Sequence, residues 1–202
     1  MEGREKAAIG GGLTRAGALR AVVGAGLLAG AGTALGGLRT SAAAPSKTQD
    51  AEILDVFLVL ERVQEAFYRE AVRRGRLSGE LGEFAQAAAR QETEHVRFLA
   101  EQLGGRASAP PTTDFADALD DEATFRSTAI ELEEAAIGAY IAQGANLTRE
   151  AVGEVAKLVS VEARQAAWIR DLAGENPAPR AADPPRDPDD SLRRLRDRGF
   201  LR

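Results

Sequence analysis

The chain has 202 residues, 44% of them hydrophobic and 5% aromatic, with a formal net charge of −5. It has no cysteine, which excludes disulfides, thiolate zinc sites, iron–sulfur clusters and cysteine nucleophiles. Its single histidine, His95, excludes a catalytic triad or a multi-histidine metal site, and the absence of a basic face argues against nucleic acid as a partner.

Residues 1–44 read as an export signal. Arg4, Lys6, Arg15 and Arg20 form a positive n-region, and no charge falls between Ala21 and Leu38. Ala42-Ala43-Ala44 offers small residues to a signal peptidase. The stretch Thr14–Arg20 resembles a twin-arginine translocation signal, with Ala16 where the second arginine should stand. Ordinary secretion is the alternative route. An uncleaved membrane anchor is a third reading, since the uncharged stretch is near the minimum length of a span. A disordered Gly/Ala-rich leader is a fourth.

Abundant alanine and the lack of alternating β-branched runs indicate an all-α protein. No proline falls between Pro45 and Pro110, or between Pro111 and Pro177. A proline inside a helix costs about 3 kcal/mol, so these stretches suit long helices. The domain is set at about 48–174. A first helix is expected over about Asp50–Arg74, ending near Gly75, and a second over about Glu80–Leu103. After a longer connection holding Pro110-Pro111, a third is expected over about Asp121–Ala145, capped by Asp120 or Asp121. Thr148 would cap a fourth, about Arg149–Ala173, closed by Gly174. Short turns within each pair and one long connection between pairs give two antiparallel hairpins joined by a crossover.

The hairpins repeat one another. Leu60-Glu61 followed by Tyr68 matches Leu132-Glu133 followed by Tyr140. Glu92, His95, Phe98 and Leu99 match Glu162, Gln165, Trp168 and Ile169.

Certain acids sit on the wrong face. On a helical wheel Leu54, Phe57, Leu58 and Tyr68 fall within about 60° of Glu61. Glu92 shares a stripe with Leu81, Ala85, Ala88, Val96, Leu99 and Leu103, with His95 on its border and Glu94 on the solvent side. Glu133 shares a face with Ala129, Ile137 and Tyr140, and Arg126 is a polar intruder there. Glu162 shares one with Val155, Leu158, Ala166 and Ile169, beside Gln165. Four glutamates, one per helix, thus point into one core. Unpaired buried carboxylates cost several kcal/mol each and repel one another. A divalent or trivalent cation removes both problems. Carboxylates with an imidazole suit iron or manganese, and Glu-x-x-His places both side chains on one helix face.

Glu61, Glu92-x-x-His95, Glu133 and Glu162-x-x-Gln165 resemble the ligand pattern of ferritin-like di-iron carboxylate proteins. Through LVLERVQEAFYREA, QETEHVRFL, AIELEEAAIGAY and LVSVEARQAAW the chain is similar to bacterial exported ferritin-like domain proteins, over about residues 50–174. The resemblance implies a ferritin-like four-helix bundle with metal ligands Glu61, Glu92, His95, Glu133 and Glu162. The first metal position would keep Glu61, Glu92 and His95. Gln165 stands where a second histidine belongs. It is a weak ligand or supports the ligands by hydrogen bonds, as Tyr68 and Tyr140 could.

Two functions follow. One is a cell-envelope metalloprotein binding one or two iron or manganese ions, with redox chemistry toward a small oxidant such as O₂ or peroxide. The other is a metal-free structural or interaction module that has lost the di-metal site. A homodimer is compatible with either, and membrane contact would come through an uncleaved leader. Residues 175–202 read as a Pro/Asp/Arg-rich linker followed by a basic tail, expected to be frayed and solvated, with docking on the domain or contact with an anionic surface as the alternatives.

Overall fold

The computed structural model describes residues 44–202. Residues 1–43, which carry the expected export signal, lie outside the described residues. The described residues hold five α-helices: α1 Lys47–Arg74, α2 Gly79–Leu103, α3 Glu122–Gln143, α4 Arg149–Leu172 and α5 Pro188–Asp197. Short 3₁₀ turns occur at Gly104–Arg106, Ala116–Leu119 and Gly144–Asn146. Among the described residues no helix is long and apolar enough to cross a membrane.

Local chemistry sets the boundaries. The Ser46 hydroxyl accepts from Gln49 N, so α1 starts a turn earlier than the apolar pattern suggests. It ends at Gly75, whose φ of 62° lets its N–H reach back to Ala71 and Val72 carbonyls. Asp121 caps α3, its carboxylate accepting from Ala123 N and Thr124 N at 2.8 Å each. Thr148 caps α4 through Ala151 N.

The helices α1 and α2 pack as one antiparallel hairpin and α3 and α4 as the other. The connection from α2 to α3 crosses the bundle, which is the ferritin-like arrangement. The hairpins are tied at their ends as well as through the core. Buried Asp50 in α1 accepts from Thr148 N at 2.8 Å and from its hydroxyl at 2.6 Å. In the α1–α2 turn, Ser78 donates its N–H and hydroxyl to Glu122 at the start of α3. An aromatic cluster fills the bundle beyond the acids. Phe67 stacks on Phe125 with centroids 5.3 Å apart, and Tyr68 meets Phe67, Phe84 and Phe125 edge-on.

The expectation of a frayed tail does not hold. After a proline-rich stretch, Asp187 caps α5 with Pro188 in the first turn. This helix lies against α3 and α1 and buries Leu192 and Leu195. Phe200 and Leu201 are also buried, Phe200 against Phe115 of the crossover at 5.5 Å. Leu201 forms an isolated antiparallel bridge with Thr113. Arg186 begins this strap. Its N–H donates to Gly138 O at 2.9 Å, and its side chain lies over Gly138, where a Cβ would come within 2.5 Å of Arg186 Cγ. Only a residue without a side chain permits that approach. Its four apolar side chains join the core cluster, and Arg186, Arg198 and Arg202 pair with Glu134, Glu131 and Asp114.

Candidate metal centre

Each candidate residue comes from the middle of a long helix, where the backbone is satisfied and the side chain must face the core. Glu61, Glu92, Glu133 and Glu162 are all 0% exposed and His95 is 6% exposed. Glu92 and His95 lie one turn apart on α2, so both reach the same point.

His95 Nδ1 is the hub. It lies 3.2 Å from Glu61 Oε2, 3.1 Å from Glu92 Oε2 and 2.9 Å from Glu162 Oε1. One donor atom from each of Glu61, Glu92, His95 and Glu162 falls within 4.8 Å of all the others, so the group could hold a metal ion. Glu133 is buried beside this group without joining it.

Two phenols cross between hairpins. Tyr140 of α3 donates to Glu61 Oε1 on α1, and Tyr68 of α1 donates to Glu133 Oε1 on α3. Phe57 packs on the Tyr140 ring with centroids 4.4 Å apart and fixes its direction. Arg126 pairs with Glu122 at 2.8 Å rather than with Glu133.

The electrostatics follow from crowding. Burial, then the negative charges of Glu162 and Glu61, hold the Glu92 carboxyl well above the usual carboxylate range. Burial, then Glu162 and Glu92, do the same to Glu133. Burial and the charge of Glu61 raise Glu162, with His95 opposing. For Glu61, burial is outweighed by hydrogen bonds at His95, Glu92 and Tyr140, and its carboxyl is lowered. Burial works against the His95 cation, but the three carboxylates around it outweigh that and raise it far above its ordinary value. Burial, then the facing carboxylates, push both tyrosines well up, so both phenols stay protonated donors.

The donor set fits a cation. Glu92 Oε1 and Glu133 Oε2 are buried without a hydrogen bond. Buried acceptors without donors are uncommon in folded proteins. Carboxylate oxygens with one imidazole nitrogen suit iron, manganese or zinc.

One participant escapes the sequence reading. Gln64 in α1 is 1% exposed and donates its Nε2 to Glu162 Oε2 at 3.1 Å. It stands three residues after Glu61, the same spacing that joins Glu92 to His95, so the signal was present. Gln165 turns its amide nitrogen to Gln91 Oε1 at 2.8 Å, leaving its own Oε1 buried and without a partner.

A family profile described as a ferritin-like domain matches residues 49–175. The chain belongs to the ferritin-like domain family. The matched range runs from the first turn of α1 to just past α4, so the ferritin-like domain takes in both hairpins and all five candidate residues. The α5 strap lies beyond it. No curated protein matches the chain.

Proposed function

We propose that this ferritin-like protein binds iron or manganese through Glu61, Glu92, His95 and Glu162, with Glu133 beside them, in the cell envelope. One observation carries the reading: three buried carboxylates converge on His95 Nδ1 within 3.2 Å, and a fourth lies next to them. One imidazolium cannot balance four carboxylates in an apolar interior. A cation of charge two or three, with His95 neutral as its ligand, offsets two or three of those charges, and the raised carboxyls hold protons for the rest.

Iron or manganese held there would supply one-electron redox chemistry toward a small oxidant such as O₂ or peroxide. The chain's own residues do the rest. Glu92 and His95 share one helix face and present two donors one turn apart. Tyr140 and Tyr68 orient Glu61 and Glu133 and keep their own protons. The aromatic rings of Phe57, Phe67, Phe84 and Phe125 keep water from the surrounding core. The placement in the envelope rests on the basic, then uncharged, composition of residues 1–44.

The test is metal content. The full chain and a Glu92→Ala/His95→Ala variant are purified without chelator and analysed by inductively coupled plasma mass spectrometry. The reading expects about one or two iron or manganese per chain, lost in the variant. A second reading, a metal-free envelope module, is favoured by a different observation: every one of the four glutamates has a partner within the protein, in Tyr140, His95, Tyr68 or Gln64. Metal below about a tenth of an equivalent, unchanged by added iron or manganese, selects that reading.

A further inference from the structure

The two hairpins repeat one another around their four glutamates, yet the residues three positions after those glutamates do not match, and each mismatch involves a glutamine. Where the first half has His95, the second has Gln165. Where the second half has Ala136, three residues after Glu133, the first has Gln64, three residues after Glu61. Both glutamines are buried, at 1% and 3% exposure.

We infer that the cluster holds a single ion, and that Gln64 and Gln165 are what limit it to one. The inference rests on the metal-binding reading above. A second ion would have to sit on the repeat-related side of the cluster, among Glu133, Glu162 and residue 165. Glu162 Oε1 already faces His95 Nδ1 at 2.9 Å, so its Oε2 is what remains. That oxygen accepts from Gln64 Nε2 at 3.1 Å. Without a cation between them, turning the Gln64 amide over would set its oxygen against the Glu162 carboxylate. Its N–H group therefore keeps the positive end of a dipole where a second cation would need to be.

The other donors on that side are also weakened. Glu133 Oε1 is engaged by Tyr68, which leaves that residue only Oε2. Residue 165 offers a neutral amide oxygen in place of an imidazole nitrogen, and its amide nitrogen is tied to Gln91 at 2.8 Å. The structure accordingly gathers one mutually close group of acids around His95, and Glu133 stays outside it.

The experiment restores the repeat. Gln64→Ala copies Ala136, and Gln165→His copies His95. Full-length wild type, the double variant and Gln165→His alone are stripped, titrated with Mn(II) and read by equilibrium dialysis with metal analysis, and by electron paramagnetic resonance. Wild type is expected to bind about one Mn(II) with the spectrum of an isolated ion. The double variant is expected to bind about two, with the spectrum of a coupled pair. Gln165→His alone carries the test if the double variant loses its helical circular dichroism, and more than one equivalent is expected there too. Two ions in wild type would overturn the single-ion inference and leave the metal reading standing. One ion in every folded variant would overturn the role given to the glutamines. No ion in wild type would remove both.

Discussion

Asp50 accepts two hydrogen bonds from one residue, the backbone N–H and the hydroxyl of Thr148, and so joins the first turn of α1 to the first turn of α4. Thr148 in turn caps α4. Asp50→Ala removes both acceptors at a buried site and is expected to cost about 1–3 kcal/mol. Urea denaturation checks this. Asp50→Asn, which keeps one oxygen, should lose less, and an alanine variant as stable as wild type would show that the tie is not needed.

The metal-free protein should lose stability as pH rises from about 5 to about 8. Glu92, Glu133 and Glu162 are raised above 4.5, so their contribution is complete below 4.5 and is lost as pH climbs through their folded values. His95 is raised above 6.5 and acts in the same direction, above 6.5. Glu61 is lowered, and its contribution is lost only as pH falls below 4.5. A bound cation replaces the protons and should flatten the slope. Thermal melts of stripped and Mn(II)-loaded protein across this window read both effects. A metal-free melting temperature that rises with pH would contradict the cluster's charge balance.

Tyr140→Phe keeps the ring that packs on Phe57 but removes the donor to Glu61 Oε1. The buried oxygen is left without its phenol, at an expected cost of about 1–3 kcal/mol. The stripped protein should show this loss by chemical denaturation. The repeat-related Tyr68→Phe should show a similar loss through Glu133, and unchanged midpoints in both would mean that the two carboxyls are satisfied otherwise.

Gly138→Ala tests the strap. The new Cβ would meet Arg186 Cγ at 2.5 Å, so the 186 segment must lift from α3. Overpacking of this kind costs about 1–3 kcal/mol. Limited trypsin digestion should cut faster after Arg180 and Arg186 in the variant while α1–α4 remain intact. Equal cleavage rates would show that the strap adjusts without detaching.

The sequence reveals the bundle because proline spacing and the 3.6-residue period act locally, and α1–α4 appear where those signals place them. It also reveals the inward face of Glu61, Glu92, Glu133 and Glu162, since one helix fixes its own wheel. It does not reveal relations between helices. That Glu133 answers to Tyr68, that Gln165 turns to Gln91, and that Glu162 rather than Glu133 closes the group around His95 depend on how the hairpins are set against each other. The docked form of the tail is hidden for a related reason. Leu192, Leu195, Phe200 and Leu201 are sparse among arginines, and the surface that receives them includes Phe115, far away in the chain.

Tyr140 donating to Glu61 and Tyr68 donating to Glu133 are the same exchange seen from opposite ends. A hairpin bearing one such glutamate and one such tyrosine is self-complementary: two identical copies about a twofold axis would satisfy each other by this contact alone. While the copies stay identical, any substitution strikes both sides of the axis together. Once both halves are carried on one polypeptide, each can change alone, and His95 in one half with Gln165 at the matching place in the other is what that freedom looks like.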